Sequence, residues 1–198
     1  MPTVLSYRNT SPLEERVKSR FKTAKLPQEY TQTMLVRSQA LKLASQYGLD
    51  LEQVSTAALL HNISHLIPKT EYIKLAEEYG IEILPQEKQN PYLLHQKISR
   101  ILAVEEFNIS DKEVLNAIAC HTTLRPSATL LDKIIFLAAK QNNGQTKDFS
   151  FKTKKKPLAE QELNASVFSC LFNEVNSEIA MQSVHPWAKE ALEELKQK

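Results

Sequence analysis

Glycine is scarce in this chain of 198 residues, which contains only Gly48, Gly80 and Gly144. Each of them stands where a helix or a loop would end. A glycine-rich phosphate-binding loop needs several glycines within a few residues, so the sequence excludes that kind of nucleotide site. The scarcity also argues against a β-rich fold, in which turns recur between short strands.

Cysteine and long apolar runs are scarce as well. The spacing of Cys120 and Cys170 fits neither a disulfide framework nor a zinc site, so we expect two buried thiols. The chain does not begin with an apolar run of signal-peptide length, and nothing in it approaches the roughly 20 apolar residues that span a bilayer. These absences predict a cytoplasmic protein without a membrane partner.

An excess of one charge is also missing, since 25 basic and 23 acidic residues leave a formal net charge of +2. One segment departs from this balance: Lys140 to Lys156 contains six lysines and one aspartate, with Phe149 and Phe151 among them. Such a segment can contact RNA, by neutralising phosphates and stacking on bases, or an acidic protein. The alternative is a solvated loop without a partner. The residues that carry the binding hypothesis are Lys152, Lys154, Lys155 and Lys156.

The apolar positions recur with helical spacing along the whole chain and predict an all-α fold. Capping boxes begin helices at Ser11 and at Ser110, each with a glutamate three residues later. Gly48 and Gly80 stand where two helices would end. We expect one domain, made of a helical lead-in at 1–25, a core at 26–140, a basic linker at 141–157 and C-terminal helices at 158–198 that pack on the same core.

Four of the five histidines fall on three consecutive predicted helices or at their ends. Three of these, in "ALLHN", "YLLHQ" and "AIACHTT", are surrounded by apolar residues. Imidazoles that face one bundle core from different helices can build a metal site. Buried histidines that only form hydrogen bonds within the core are the alternative, and spacing alone leaves both open.

Three stretches of the chain resemble the YqeK family of HD-domain hydrolases: "AALLHNISHLIPKTEYIKLAEEYGIE", "NPYLLHQKISRILAVEEFNISDKEVLNAIACHTT" and "LLDKIIFLA". The resemblance runs from Leu26 to Ala138, with a weaker similarity from Ser183 to Leu192. It implies an HD-domain helical bundle, a homodimer, and the symmetrical hydrolysis of diadenosine tetraphosphate into two ADP. It also implies two metal ions, usually iron, held by four histidines and two aspartates.

The resemblance implies a ligand set of which this chain keeps only half. Three positions hold the histidines that the family uses, namely His61, His95 and His121. The other three positions hold residues that ligate weakly or not at all: Gln32 in place of a histidine, and Asn62 and Ala139 in place of aspartates. No carboxylate close to Ala139 in the sequence offers a replacement.

The missing carboxylates remove both negative charges that would offset two divalent cations. An asparagine oxygen ligates weakly and supplies no charge. We therefore expect no metal cofactor and no metal-activated water, with weak binding of a single zinc or nickel ion as the alternative. The hypothesis is a degenerate HD-domain protein that acts as a nucleotide- or partner-binding regulatory module. The alternative is an active phosphohydrolase with a ligand set that the sequence does not disclose.

The resemblance also implies phosphate-binding residues around the site. The positions that carry them here are His65, Thr122, Thr123, Arg125 and Lys133. His65 stands where the family commonly has lysine, and Leu124 stands where it has glycine. Basic and hydroxyl side chains suit phosphate oxygens, so we predict that these residues bind a nucleotide. The alternative is structural, in which the threonines cap a helix end and Asp132 and Lys133 pair with neighbouring residues.

Overall fold

The structure, a computed structural model, describes residues 13–142, 160–176 and 184–196. Within these ranges there are helices and connecting turns but no strand, which confirms the all-α prediction. The capping box predicted at Ser11 and the basic segment with Lys152, Lys154, Lys155 and Lys156 lie outside the described residues. The helices are α1 (Leu13–Thr23), α2 (Pro27–Tyr47), α3 (Leu51–Leu60), α4 (Tyr72–Glu78), α5 (Pro85–Gln89), α6 (His95–Glu105), α7 (Lys112–Cys120), α8 (Leu130–Asn142), α9 (Glu160–Val175) and α10 (Pro186–Lys196).

Two of these helices begin at an aspartate that binds the free backbone amides of the first turn. Asp50 accepts a hydrogen bond from the amide of Glu52 at 2.8 Å, and Asp111 accepts from the amides of Glu113 and Val114 at 2.9 and 3.3 Å. The predicted capping box at Ser110 is therefore wrong by one residue, because the carboxylate of Asp111 takes the capping position. Helix α2 ends as predicted at Gly48, whose φ of 68° is the left-handed conformation that glycine favours.

Short 3-10 segments precede α4 and α6, where the sequence predicts continuous helices. Ile63–Leu66 and Lys69–Glu71 follow α3, and Pro91–Leu94 leads directly into α6 at His95. The prolines before Lys69 and at Pro91 suit these starts because they fix φ and need no hydrogen-bond partner for a backbone N–H. His61 directly follows the last residue of α3, and His95 is the first residue of α6.

Helix α8 lies at the centre of the bundle. Every residue from 131 to 140 is buried, so the helix shows no polar face to solvent along this stretch. It packs against α2, α7 and α9, while α3 packs on α2 and α7, and α6 packs on α7. The fully buried side chains include Phe21, Ile118, Ile134 and Phe136. The C-terminal ends of α3 and α7 and the start of α6 thereby meet beside α8.

A buried ionic group attaches the C-terminal segment to this bundle. The Glu87 carboxylate, which has no exposed surface, accepts a hydrogen bond from the Lys97 ammonium at 2.9 Å. Its other oxygen lies 3.4 Å from Nε2 of His185. Lys97 also donates to the carbonyl of Glu82 at 3.0 Å and lies over the ring of Trp187. The group joins α5 and α6 to the residues that begin α10.

None of the helices within the described ranges combines the length and the hydropathy that crossing a bilayer requires.

Candidate functional site

A cleft of about 380 Å³ opens between α2, α8 and the ends of α3 and α7. Its walls contain all six residues that the resemblance assigns to metal-ligand positions: Gln32, His61, Asn62, His95, His121 and Ala139. These residues come from five separate parts of the chain, so their meeting in one cavity is a result of the fold. The cavity is the candidate functional site.

The three histidines of this cavity share one local geometry. Each imidazole has its Nδ1 atom hydrogen-bonded to the carbonyl of the residue three positions earlier: His61 to Ala58 at 2.6 Å, His95 to Tyr92 at 2.7 Å and His121 to Ile118 at 2.8 Å. Since a carbonyl only accepts, Nδ1 carries the proton in all three rings. The neutral rings therefore have unprotonated Nε2 atoms, which is the tautomer that ligates metals through Nε2.

Two of the unprotonated nitrogen atoms converge. Nε2 of His95 and Nε2 of His121 lie 3.1 Å apart, and the two rings meet edge to face. The hydroxyl of Thr122 can donate to Nε2 of His95, at 3.0 Å. Two acceptors at this distance do not form a hydrogen bond with each other, so the pair favours a donor or a cation in front of it.

Burial keeps these imidazoles neutral. It lowers the pKa of His61 to about 4 and the pKa of His95 to about 3, and it lowers the pKa of His121 well below its usual range. The neighbouring histidines add to the effect, because each ring disfavours a charge on the next. At neutral pH the cavity therefore presents imidazole lone pairs.

The other three ligand positions present weaker groups to the same cavity. Gln32 and Asn62 contribute amides and Ala139 contributes a methyl group. The Oδ1 atom of Asn62 is buried and has no hydrogen-bond partner among the described residues. An unpaired buried acceptor is unfavourable, so this atom is suited to a donor supplied by a ligand.

Two carboxylates that could not be identified from the sequence also line the cavity. Glu29 reaches it from α2, and Glu174 reaches it from α9. The sequence near Ala139 offers no replacement carboxylate, but the fold brings these two to the cavity that Ala139 also lines. Each carboxylate is engaged by a basic side chain, Glu29 by Nδ1 of His65 at 2.8 Å and Glu174 by the Lys140 ammonium at 2.7 Å. The only sequence signal for Glu29 is its position one turn before Gln32.

The residues present do not fit a two-metal centre. Within residues 13–142, 160–176 and 184–196, no group of three or more His, Cys, Asp or Glu side chains is arranged to hold a metal ion. The His95 and His121 pair and the Asn62 oxygen are neutral ligands, so they offer no charge to offset a divalent ion. The two carboxylates of the cavity are already engaged, Glu29 by His65 and Glu174 by the Lys140 ammonium, whose positive charge opposes a second cation.

The residues predicted to bind phosphate are divided between this cavity and the interior. His65 and Thr122 line the cavity. Thr123 is buried instead, where its hydroxyl bonds to the side chain of Gln96 at 3.0 Å. The same Gln96 side chain accepts from the amide of Thr122 at 3.1 Å and so holds the turn after His121 in place.

Arg125 and Lys133 do not line the cavity and take the structural role that was the alternative. Arg125 pairs with the buried Asp132 at 2.8 Å, and Lys133 pairs with Glu160 at 3.0 Å. Directly before Arg125, Leu124 adopts a φ of 54°, the left-handed conformation that favours the glycine of the family. Both cations border a small separate hollow near α10.

An aromatic groove of about 310 Å³ continues from the cavity past Tyr92 and His65. The ring of Tyr92 stacks on His95 with centroids 4.7 Å apart, and it is 37 % exposed. The ammonium of Lys69 lies 4.3 Å from the centroid of this ring. Tyr72, which the groove also contacts, donates its hydroxyl to the carbonyl of Ser64 at 3.0 Å. Sequence reasoning did not single out Lys69 or Tyr92 as site residues.

Known proteins are similar to this chain over the part that contains the cavity residues His61, His95 and His121. A model of the HD domain family matches residues 30–141. A protein of Bacillus subtilis named symmetrical bis(5'-nucleosyl)-tetraphosphatase is 30 % identical over 146 residues, which are 73 % of this chain and 76 % of that protein. A protein of the same name from Halalkalibacterium halodurans is 34 % identical over 155 residues, or 74 % of this chain and 76 % of that one.

A solved structure is similar over nearly the whole length. The crystal structure of a predicted HD superfamily hydrolase involved in NAD metabolism, from Clostridium acetobutylicum, superposes with a TM-score of 0.79 at 29 % sequence identity. The match covers 92 % of this chain and 96 % of that one.

Proposed function

This chain belongs to the HD-domain family, and within it to the YqeK family, and on that premise we propose that it is a nucleotide-binding regulatory module without metal-dependent phosphohydrolase activity. The solved relative confirms the predicted HD-domain helical bundle. The observation that carries the proposal is the composition of the cavity wall. Three of the six ligand positions hold Gln32, Asn62 and Ala139, and none of these supplies negative charge. The two carboxylates that do line the cavity, Glu29 and Glu174, stand at other positions and are paired with His65 and Lys140.

The loss of negative charge removes the means of generating a nucleophile. Hydrolysis by this family requires a hydroxide at neutral pH, and a metal ion produces one by lowering the pKa of a bound water. The cavity keeps three neutral imidazoles. They can accept hydrogen bonds, but they cannot lower the pKa of a water molecule as two divalent metal ions would. We infer that a nucleotide enters the cavity and leaves it unchanged.

The remaining side chains support nucleotide binding. Lys69 and Lys140 provide cations, Thr122 provides a hydroxyl, and the partly exposed ring of Tyr92 provides aromatic surface that a base can contact. The volumes of the cavity and of the adjoining groove both fall within the roughly 300–1,000 Å³ typical of small-molecule sites. A dinucleoside polyphosphate is the ligand class that the names of the relatives favour.

The test measures binding and turnover on the same protein. Diadenosine tetraphosphate is added with iron(II), manganese or nickel, and ADP is followed by chromatography, with the Bacillus subtilis relative as the positive control. We expect no ADP from this chain, together with metal-independent binding by calorimetry. Turnover that His121→Ala abolishes would overturn the proposal in favour of the active phosphohydrolase that the names of the relatives support.

A variant pair tests where the nucleotide binds. Lys69→Met removes the cation above Tyr92 and should weaken binding about fivefold or more, which corresponds to about 1 kcal/mol. Lys74→Met is the matched control, since Lys74 is exposed and its nearest carboxylate, Glu78, is 3.9 Å away. Equal affinities for the two variants would exclude the groove at Tyr92 from the binding site.

A further inference from the structure

Lys140 occupies an unusual place for a lysine. It follows Ala139, the position of the lost aspartate, and only 4 % of the residue is exposed. Its side chain lines the same cavity as the three histidines, and its ammonium donates to Glu174 at 2.7 Å. Its charge is also one of the influences that disfavour a proton on His95. The cavity thus contains a cation that belongs to the chain itself and that is paired with the Glu174 carboxylate.

The two converging imidazoles are suited to such a charge. Because the Nδ1 atoms of His95 and His121 are engaged with backbone carbonyls, both Nε2 atoms act as acceptors, 3.1 Å apart. An ammonium has three donors, and one of those of Lys140 is directed at Glu174. The chain therefore supplies, within one cavity, both the acceptors and a cation.

We propose that the Lys140 ammonium is the resident cation of this cavity and that it excludes a divalent metal ion from it. A metal entering the cavity would have to displace this ammonium from the Glu174 carboxylate or share the carboxylate with it, in a partly buried site where screening of the two like charges by solvent is weak. The ammonium is also attached covalently, so it is not lost by dilution as a free ion is. This inference rests on the proposed function and gives a physical reason why the cavity would not use a metal ion.

The chain offers a matched control for the charge of Lys140. Lys133 lies two helical turns earlier on α8, is buried to a similar degree and pairs with Glu160 of α9 at 3.0 Å. Both lysines therefore join α8 to a glutamate of α9, but only Lys140 lines the cavity. Substituting each lysine with methionine removes the same charge and keeps most of the apolar side chain.

The experiment measures metal affinity without reference to activity. Wild type, Lys140→Met, Lys133→Met and Lys140→Arg are titrated with Zn²⁺ and Ni²⁺ against a chromophoric chelator. We expect Lys140→Met to bind one equivalent at least about tenfold more tightly than wild type, because the repelling charge is gone and the Glu174 carboxylate no longer has the Lys140 ammonium as its partner. Lys133→Met and Lys140→Arg should bind no better than wild type, since both retain a charge in the cavity.

Three results would overturn the proposal: tight stoichiometric metal binding by wild type, equal affinities for wild type and Lys140→Met, or an equal gain in Lys133→Met. Circular dichroism verifies folding, and Lys140→Gln replaces a Lys140→Met variant that does not fold. Metal binding by wild type without turnover would contradict this inference alone, whereas turnover of diadenosine tetraphosphate would contradict the proposed function.

The inference also changes how the lost ligands should be restored. The triple variant Gln32→His, Asn62→Asp and Ala139→Asp should gain metal only weakly while Lys140 remains. Adding Lys140→Met to it should increase the metal affinity by at least about a further tenfold. Equal affinities for the triple and the quadruple variant would show that Lys140 does not exclude the metal.

Discussion

Lys97→Met should destabilise the protein strongly, because it leaves the Glu87 carboxylate buried without its cation. Neither Glu87 nor Lys97 is accessible enough for water to replace the partner, with side-chain exposures of 0 and 9 %. Methionine can still pack against Trp187, so the loss is mainly electrostatic. Removing one member of a buried ion pair typically costs about 3–5 kcal/mol.

The loss of stability has an upper limit, because the buried Glu87 carboxylate becomes neutral when it takes up a proton. Burial raises the pKa of Glu87, but hydrogen bonds from His185, from the amide of Leu84 and from Lys97 outweigh it and hold the pKa below the usual 4.5. Without Lys97, protonating a carboxyl of that ordinary pKa near pH 7 costs about 3 kcal/mol. We therefore expect a loss of about 3 kcal/mol, or roughly 6–12 °C in Tm for a chain of this size.

The pH dependence distinguishes this cause from simple loss of packing. The native variant takes up a proton on Glu87 that the unfolded chain does not bind near pH 7, so its stability deficit shrinks as the pH falls. Near pH 5.5 the deficit should be about 1.4 kcal/mol. In wild type the sign is opposite: the lowered pKa of Glu87 stabilises the fold above 4.5, and this contribution is lost as the pH falls through the folded pKa.

The assay is urea unfolding followed by circular dichroism at both pH values, with Lys74→Met as the exposed control. The double variant Glu87→Gln with Lys97→Met has no buried charge and should be more stable than Lys97→Met alone near pH 7. A deficit that does not change with pH, or a double variant less stable than the single one, would refute the reasoning.

Three further predictions concern the helices around the site. Asp111→Ala removes the cap of α7 and should cost about 1 kcal/mol in urea unfolding, whereas Ser110→Ala should cost only a few tenths. Arg125→Met leaves Asp132 buried without its cation and should cost about 3 kcal/mol in the same measurement. Nucleotide affinity, measured by calorimetry, should not change, because Arg125 does not line the cavity. A loss of affinity would show that Arg125 belongs to the binding site. Gln96→Leu frees the turn at Thr122 and should increase the amide hydrogen exchange of residues 121–124 before it changes global stability; unaltered exchange would mean that Gln96 does not hold this turn.

Much of the fold can be predicted from the sequence because its signals are local. Helical periodicity and the cap at Gly48 depend on residues within a few positions of one another. The one-residue error at Ser110 is also local, since serine and aspartate are adjacent and both cap helices well. The cavity residues His61, His95 and His121 could be singled out because each stands in an apolar segment.

The rest of the site depends on distances that the sequence does not contain. Glu174 reaches the cavity from α9, 34 positions after its partner Lys140. Lys133 had the residue type of a phosphate ligand, but Glu160 of the same helix α9 engages it outside the cavity. Only the packing of α8 against α9 decides which of these two lysines faces the histidines.

The bond from each histidine to the carbonyl three residues before it has an evolutionary consequence. The direction of each imidazole is determined within a four-residue segment at the end or start of a helix, whichever partners stand across the cavity. Loss of a neighbouring ligand therefore does not disturb the rings that remain. Substitutions at positions such as 32, 62 and 139 can accumulate one at a time in a lineage without unfolding the protein, and the surviving imidazoles are then available for selection towards another ligand.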